Sequence, residues 1–140
     1  MDSHFLLRVL VVDDNERVRH GIADILKDDF QVCEAEDGVE AVEMVRYLKP
    51  DVVLLDLSMP VMGGGAAAQV IRAVSPATRI VFISVDDSPH VASLVKSTGA
   101  DGFISKNWCC NLPRDNRHNG PTVCCVKQAQ KGRGVFHAGG

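Results

Sequence analysis

Val52 to Leu55 form an unbroken four-residue apolar run that ends on a carboxylate, Asp56, in the stretch VVLLDLSMPVMG. The run is too short for a helix of ordinary length and suits a strand buried on both faces. Pro60 and the Gly63-Gly64-Gly65 run break the chain directly afterwards. Strands buried on both faces belong to parallel sheets covered by helices, and open sheets of that kind carry ligands at the carboxyl ends of their strands. Asp56 therefore belongs on that edge, and the remaining strands decide what accompanies it.

Other runs of the same kind alternate with helical patterns. Phe5 to Val12 is a first strand whose core part is Val9 to Val12, and it ends on Asp13-Asp14. A helix follows, capped by Asn15 or Asp14, with Val18, Ile22, Ile25 and Leu26 on one apolar stripe. Gln31 to Ala35 is a second strand, and Val39 to Leu48 a second helix stopped by Lys49-Pro50. After the central run, Ala66 to Val74 is a third helix with Val70, Ile71 and Val74 on its apolar side. Arg79 to Val85 is a fourth strand, Val91, Leu94 and Val95 mark a fourth helix, and Phe103 to Ser105 is a fifth strand that delivers Lys106. Strands and helices in strict alternation predict an α/β fold, a doubly wound five-stranded parallel sheet with right-handed crossovers. Among doubly wound orders the flavodoxin-like one, 2-1-3-4-5, is preferred here.

The polar strand ends can now be put together. Asp13 and Asp14, Asp56, Ser84 and Lys106 all follow strands and share one edge of a parallel sheet. Carboxylates crowded on one edge repel and call for a cation. Hard oxygen ligands in small number suit Mg²⁺, which keeps waters and shares phosphate oxygens. A lysine and a hydroxyl beside it suit a phosphoryl group. A carboxylate can itself be the nucleophile and form an acyl phosphate.

Composition narrows the classes. The chain has 140 residues, 46% hydrophobic and 24% charged, in the range of one globular domain. A net charge of −3 supplies no global basic field for nucleic acid. No apolar run approaches the roughly 20 residues of a membrane span. Met1-Asp2-Ser3-His4 lacks the basic and apolar regions of a signal peptide. The expected location is the cytoplasm, where the five cysteines stay reduced.

Residues 5 to 106 resemble the receiver domain of two-component response regulators, of the chemotaxis-regulator type. The resemblance rests on Asp13-Asp14 in VVDDN, Asp56 in DLSMPVMGG, Ser84 in FISV, and Phe103 and Lys106 in GFISK. It implies that Asp56 accepts a phosphoryl group from a histidine kinase or phosphotransfer protein, and that Asp13, Asp14 and Asp56 hold Mg²⁺, with Asp14 the more direct ligand of the pair. Lys106 would pair with the phosphoryl group. Ser84 would be the switch hydroxyl and Phe103 the switch aromatic, turning inward to remodel the surface around strand five for a downstream effector. The resemblance implies a signalling domain that assists its own phosphorylation and dephosphorylation, not an enzyme acting on other substrates.

Other readings compete. Asp13-Asp14 alone reads as a helix cap, Lys106 alone as a surface charge, and Phe103 alone as core. A degenerate receiver acting only as an interaction module is opposed by the presence of every key residue type. An aspartyl-phosphate phosphohydrolase of the haloacid-dehalogenase kind would need an Asp two residues after the nucleophile, where this chain has Ser58. A flavin carrier would need a Ser/Thr-rich loop where Asp13-Asp14 stand. The glycine run lacks the lysine of a P-loop and reads as a turn entering the third helix.

The chain divides into residues 1–106, the receiver-like part, and an atypical Cys/Gly-rich tail, 107–140. Asn107 stands where the family carries a proline. Pro113, Gly120, Pro121, Gly132 and Gly134 interrupt the tail, so the fifth helix is expected to be absent or degenerate, with Thr122 to Lys131 its one helical stretch. Cys109, Cys110, Cys124 and Cys125, with His118 between them, have poor spacing for zinc. The tail reads as flexible and non-native, from a shifted reading frame or an altered terminus. A missing fifth helix predicts exposed apolar surface beside strand five, and with it dimerisation or marginal stability. The tail leaves no room for a DNA-binding output domain after residue 106, so output is expected to pass through another protein, or the natural chain is longer.

Overall fold

The computed structural model describes residues 7–57, 63–84, 89, 93, 96–105 and 137–138. Its elements run β1 (Arg8–Val12), α1 (Glu16–Leu26), β2 (Gln31–Ala35), α2 (Gly38–Leu48), β3 (Val52–Asp56), α3 (Gly64–Val74), β4 (Arg79–Ser84), β5 (Gly102–Ser105) and β6 (His137–Ala138). All strand pairs are parallel. The sheet order is β2-β1-β3-β4-β5-β6. The first five strands therefore follow the expected 2-1-3-4-5 order. The two-residue β6, which pairs with Phe103 and Ile104, was not anticipated in the tail.

Local chemistry explains the helix ends. The Asn15 side chain, and not that of Asp14, accepts from the Val18 N–H at 3.1 Å and starts α1. The Asp37 carboxylate accepts from the Glu40 N–H at 2.8 Å, while the Glu40 carboxylate accepts from the Glu36 N–H at 2.8 Å. These two bonds start α2 in a variant of the capping box, the Glu40 carboxylate reaching back to the residue before the cap. That helix stops at Lys49, in the left-handed region at φ 46°, directly before Pro50. No side chain caps α3, which begins at Gly64 and so earlier than Ala66.

Strand alternation sorts the core into two layers. Leu10, Val12, Val53, Leu55, Ile80, Phe82 and Phe103 pack with Ala41, Val42 and Val45 of α2 and Ala67, Ala68 and Ile71 of α3. Val9, Val11, Val52, Leu54, Val81, Ile83 and Ile104 pack on the other face with Ile22, Ile25 and Leu26 of α1. Helices thus cover both faces, as continuous apolar strands require.

The expected exposure beside strand five is not found. Val81, Ile83 and Ile104, on the α1 face, are all 0% exposed. Among the described residues the exposed large hydrophobics are Val39 and Tyr47, both on α2. The expected fourth helix, the Thr122 to Lys131 helix, Asn107 and the Cys/His cluster of the tail all fall outside the described residues, apart from helical positions at 89, 93, 96 and 97.

Candidate functional site

The register brings the acidic residues together. Val12 stands opposite Leu55 in the β1–β3 pair, so Asp13 and Asp56 emerge side by side where these strands end. Ligand oxygens of Asp13, Asp14 and Asp56 lie within 4.8 Å of one another. Asp13 and Asp56 are 0% and 2% exposed, and Asp14 is exposed. Two carboxylates held at the edge of the core beside a third at the surface make a cluster open on one side.

Backbone contacts hold this geometry. The Asp13 N–H donates to the Ala35 carbonyl at 3.2 Å, which ties the end of β1 to β2. Oδ1 of Asp13 accepts from the Asn15 N–H at 2.9 Å. The Leu57 N–H donates to the Ile83 carbonyl at 3.1 Å, extending the β3–β4 ladder past Asp56. The Gly64 N–H returns to the Leu57 carbonyl at 3.3 Å, so the loop after Asp56 closes back on its own start.

Ser84 ends β4 on the same edge and is buried. It pairs in register with Ser105 of β5. Lys106, the next residue, lies outside the described residues, as do Ser58, Pro60, Asp86 and Asp87. Phe103 is 3% exposed and stands opposite Phe82 in the register. It is therefore part of the α2–α3 core layer and already inward.

The donor set fits a hard divalent cation. Three carboxylates supply oxygen ligands from one side and leave the rest of the shell to water or phosphate oxygens, which is how Mg²⁺ is usually held. Arg19, a buried cation close by, donates to the Asp13 carbonyl and to the Glu34 carboxylate.

Two residues of this site escaped the sequence reading. Gly64 packs against the strand end: a Cβ there would collide with the Asp56 carbonyl oxygen and stand 2.9 Å from the Leu57 Cα. Nothing local marks the middle glycine of the run as special, because the contact is across the loop. Arg19 did carry a signal. It lies three residues before Ile22 and seven before Leu26, on the apolar stripe of α1, where a charge demands a partner.

The comparisons with known proteins agree with this geometry. The family model of the response regulator receiver domain matches residues 9–111. The chemotaxis protein CheY of Halobacterium salinarum is 39% identical over 101 residues, covering 71% of this chain and 83% of that protein. The response regulator GacA of Pseudomonas viridiflava is 38% identical over 104 residues, covering 72% of this chain and 49% of GacA. The chain thus spans about half the length of GacA, and 44% of the transcriptional regulatory protein DegU of Brevibacillus brevis. Among solved structures, the signal receiver domain of the response regulator NarL from Mycobacterium tuberculosis superposes with a TM-score of 0.76 at 34% identity, covering 91% of this chain and 98% of that one. Strand order, strand-edge acidic residues and sequence similarity agree: the chain belongs to the receiver-domain family of two-component response regulators.

Proposed function

We propose that the domain is a phosphoacceptor switch in which Asp56 takes a phosphoryl group from a phosphohistidine of a sensor kinase or phosphotransfer protein. The supporting observation is the convergence of Asp13, Asp14 and Asp56 at the end of the central strands. Asp13, Asp14 and Asp56 would hold Mg²⁺, which would offset charge on the transferring phosphoryl group. An Asp56 carboxylate oxygen bonds to phosphorus as the donor's N–P bond breaks, and the imidazole leaves with the electron pair. Oxygens of Asp13, Asp14 and Asp56 already lie within 4.8 Å of one another, close enough to share one ion.

In this reading Lys106 pairs with the phosphoryl oxygens, and Ser84 donates its hydroxyl to one of them. Added charge and acceptor oxygens would draw Ser84 and the loop after β4 toward Asp56, biasing two arrangements of the β4–β5 surface. Phe103 starts inward, so a switching role would consist of suppressing an outward state. Output would pass to a downstream effector in the cytoplasm, either a separate protein or another part of a longer chain.

The test is intact mass after incubation with Mg²⁺ and acetyl phosphate, with Asp56→Asn in parallel. Wild type should gain one phosphoryl group, and neither the variant nor an EDTA-treated sample should. A folded wild type that gains nothing would replace this reading by that of a degenerate interaction module.

A further inference from the structure

We propose that Arg19 is a positioning residue of the acidic site: by gripping the Asp13 peptide it sets the affinity of the three carboxylates for Mg²⁺. The inference rests on the Mg²⁺-dependent reading above and goes beyond it by naming a residue outside the ligand set.

Arg19 lies on the sheet-facing side of α1 and is 8% exposed. A guanidinium so placed is costly unless its N–H groups are satisfied. Nη1 donates to the Asp13 carbonyl oxygen at 2.9 Å, and Nε donates to Oε1 of Glu34 at 2.9 Å. Glu34 sits on β2 and also meets Nε2 of His20 at 3.2 Å. Arg19 is thus a brace from α1 to the end of β1, anchored laterally on β2.

The bonded carbonyl is the important atom. It belongs to the peptide plane between Asp13 and Asp14. Restraining that plane restrains ψ of Asp13 and φ of Asp14, and so the directions in which the two side chains leave the backbone. Two further Asp13 groups are held, its N–H by the Ala35 carbonyl and its Oδ1 by the Asn15 N–H. Asp14 is exposed, so packing around its own side chain constrains it less, and the orientation of this peptide decides more. A planar fork with separate donors can hold the carbonyl and Glu34 together; a lysine ammonium is a point charge and cannot reproduce that geometry.

Two effects of Arg19 on Mg²⁺ have opposite signs. As a positive charge near a cation site it opposes binding, and its removal would tighten the complex. As a brace it preorganises the carboxylates, and its removal would weaken the complex. Groups that orient metal ligands typically change affinity by about 10- to 100-fold. The bond here is to a ligand residue's backbone and not to its carboxylate, so the lower end is expected.

The experiment is calorimetric titration of Mg²⁺ into wild type, Arg19→Met, Arg19→Lys and Glu34→Gln, with unfolding in EDTA measured alongside. Arg19→Met and Arg19→Lys should both bind about 10-fold more weakly, and Glu34→Gln, which keeps the acceptor for Nε, should stay within about twofold of wild type. Acetyl phosphate labelling of the Arg19 variants should recover at saturating Mg²⁺. Unchanged or tighter binding in folded Arg19 variants would overturn the proposal, even where their stability in EDTA has fallen, because a merely structural brace lowers stability without moving the affinity. If Arg19→Met does not fold, Arg19→Lys reads the same quantity. In wild type, the Arg19 Nε–H resonance should shift on Mg²⁺ addition, and a static resonance would count against the coupling. Failure of wild type to bind Mg²⁺ would instead remove the functional reading on which the proposal rests.

Discussion

At the scale of single residues, the site depends on groups whose importance comes from neighbours distant in sequence. Gly64 and Gly65 are chemically identical neighbours in one run, yet they face different surroundings. A Cβ on Gly64 would strike the backbone of Asp56 and Leu57, whereas one on Gly65 meets nothing within 4 Å. Backbone atoms cannot swing aside as a side chain would. Gly64→Ala should therefore destabilise the domain by about 1–3 kcal/mol. It should also slow labelling of Asp56, whose peptide must shift. Gly65→Ala, at an open helical position, should be neutral or stabilising by up to about 1 kcal/mol. Chemical denaturation of the two variants, with phosphorylation rates from acetyl phosphate, checks both. Equal behaviour of the pair would mean that the close approach of Gly64 to β3 is not a constraint.

At the scale of elements, β5 carries the sharpest difference between expectation and structure. Its sequence is short, GFIS, and it sits next to a tail that does not read as a regular helix. That pattern predicts a strand bare on one side. Instead Ile104 is fully buried in the layer that contains Ile22, Ile25 and Leu26. Phe103, one residue earlier, is buried in the opposite layer with Phe82. The strand is thus clamped on both faces, and truncating either side chain leaves a cavity. Ile104→Ala should cost about 2–5 kcal/mol in unfolding free energy. A change below about 1 kcal/mol would indicate a partly open face, since exposed substitutions usually fall within about 0.5 kcal/mol.

At the scale of the whole molecule, the parallel sheet brings like charges together at one edge. Asp13 and Asp56 are almost fully buried, and with Asp14 they bring three carboxylates within 4.8 Å. Like charges at that spacing disfavour the folded state, in which they are close, relative to the unfolded chain, in which they are apart. Two outcomes follow for the complete chain. Mg²⁺ should raise the unfolding free energy, by about 2.7 kcal/mol when its concentration is 100 times the dissociation constant. Asp13→Asn, which keeps an oxygen for the Asn15 N–H, should be more stable than wild type in EDTA by at least ~1 kcal/mol. It should also lose most of the response to Mg²⁺. A wild type equally stable in EDTA and in millimolar Mg²⁺ would contradict the cation site.

What the amino-acid order determined by itself was the alternation. Runs such as VVLLD and RIVFIS are too apolar to lie anywhere but inside a covered sheet, and the amphipathic segments between them have one face to bury. Those patterns are local, so the first five strands, three helices, the sheet class and the acidic strand ends were legible without coordinates. Asn15 over Asp14 as the cap of α1, by contrast, depended on which side chain reached the Val18 N–H. The grip of Arg19 on the Asp13 carbonyl, the approach of Gly64 to Asp56, the burial of Ile104 and the pairing of β6 with β5 are long-range facts. Each joins groups from separate elements, and no sequence window contains both halves of the contact. Tertiary structure decided them because register and packing, rather than propensity, place the second partner.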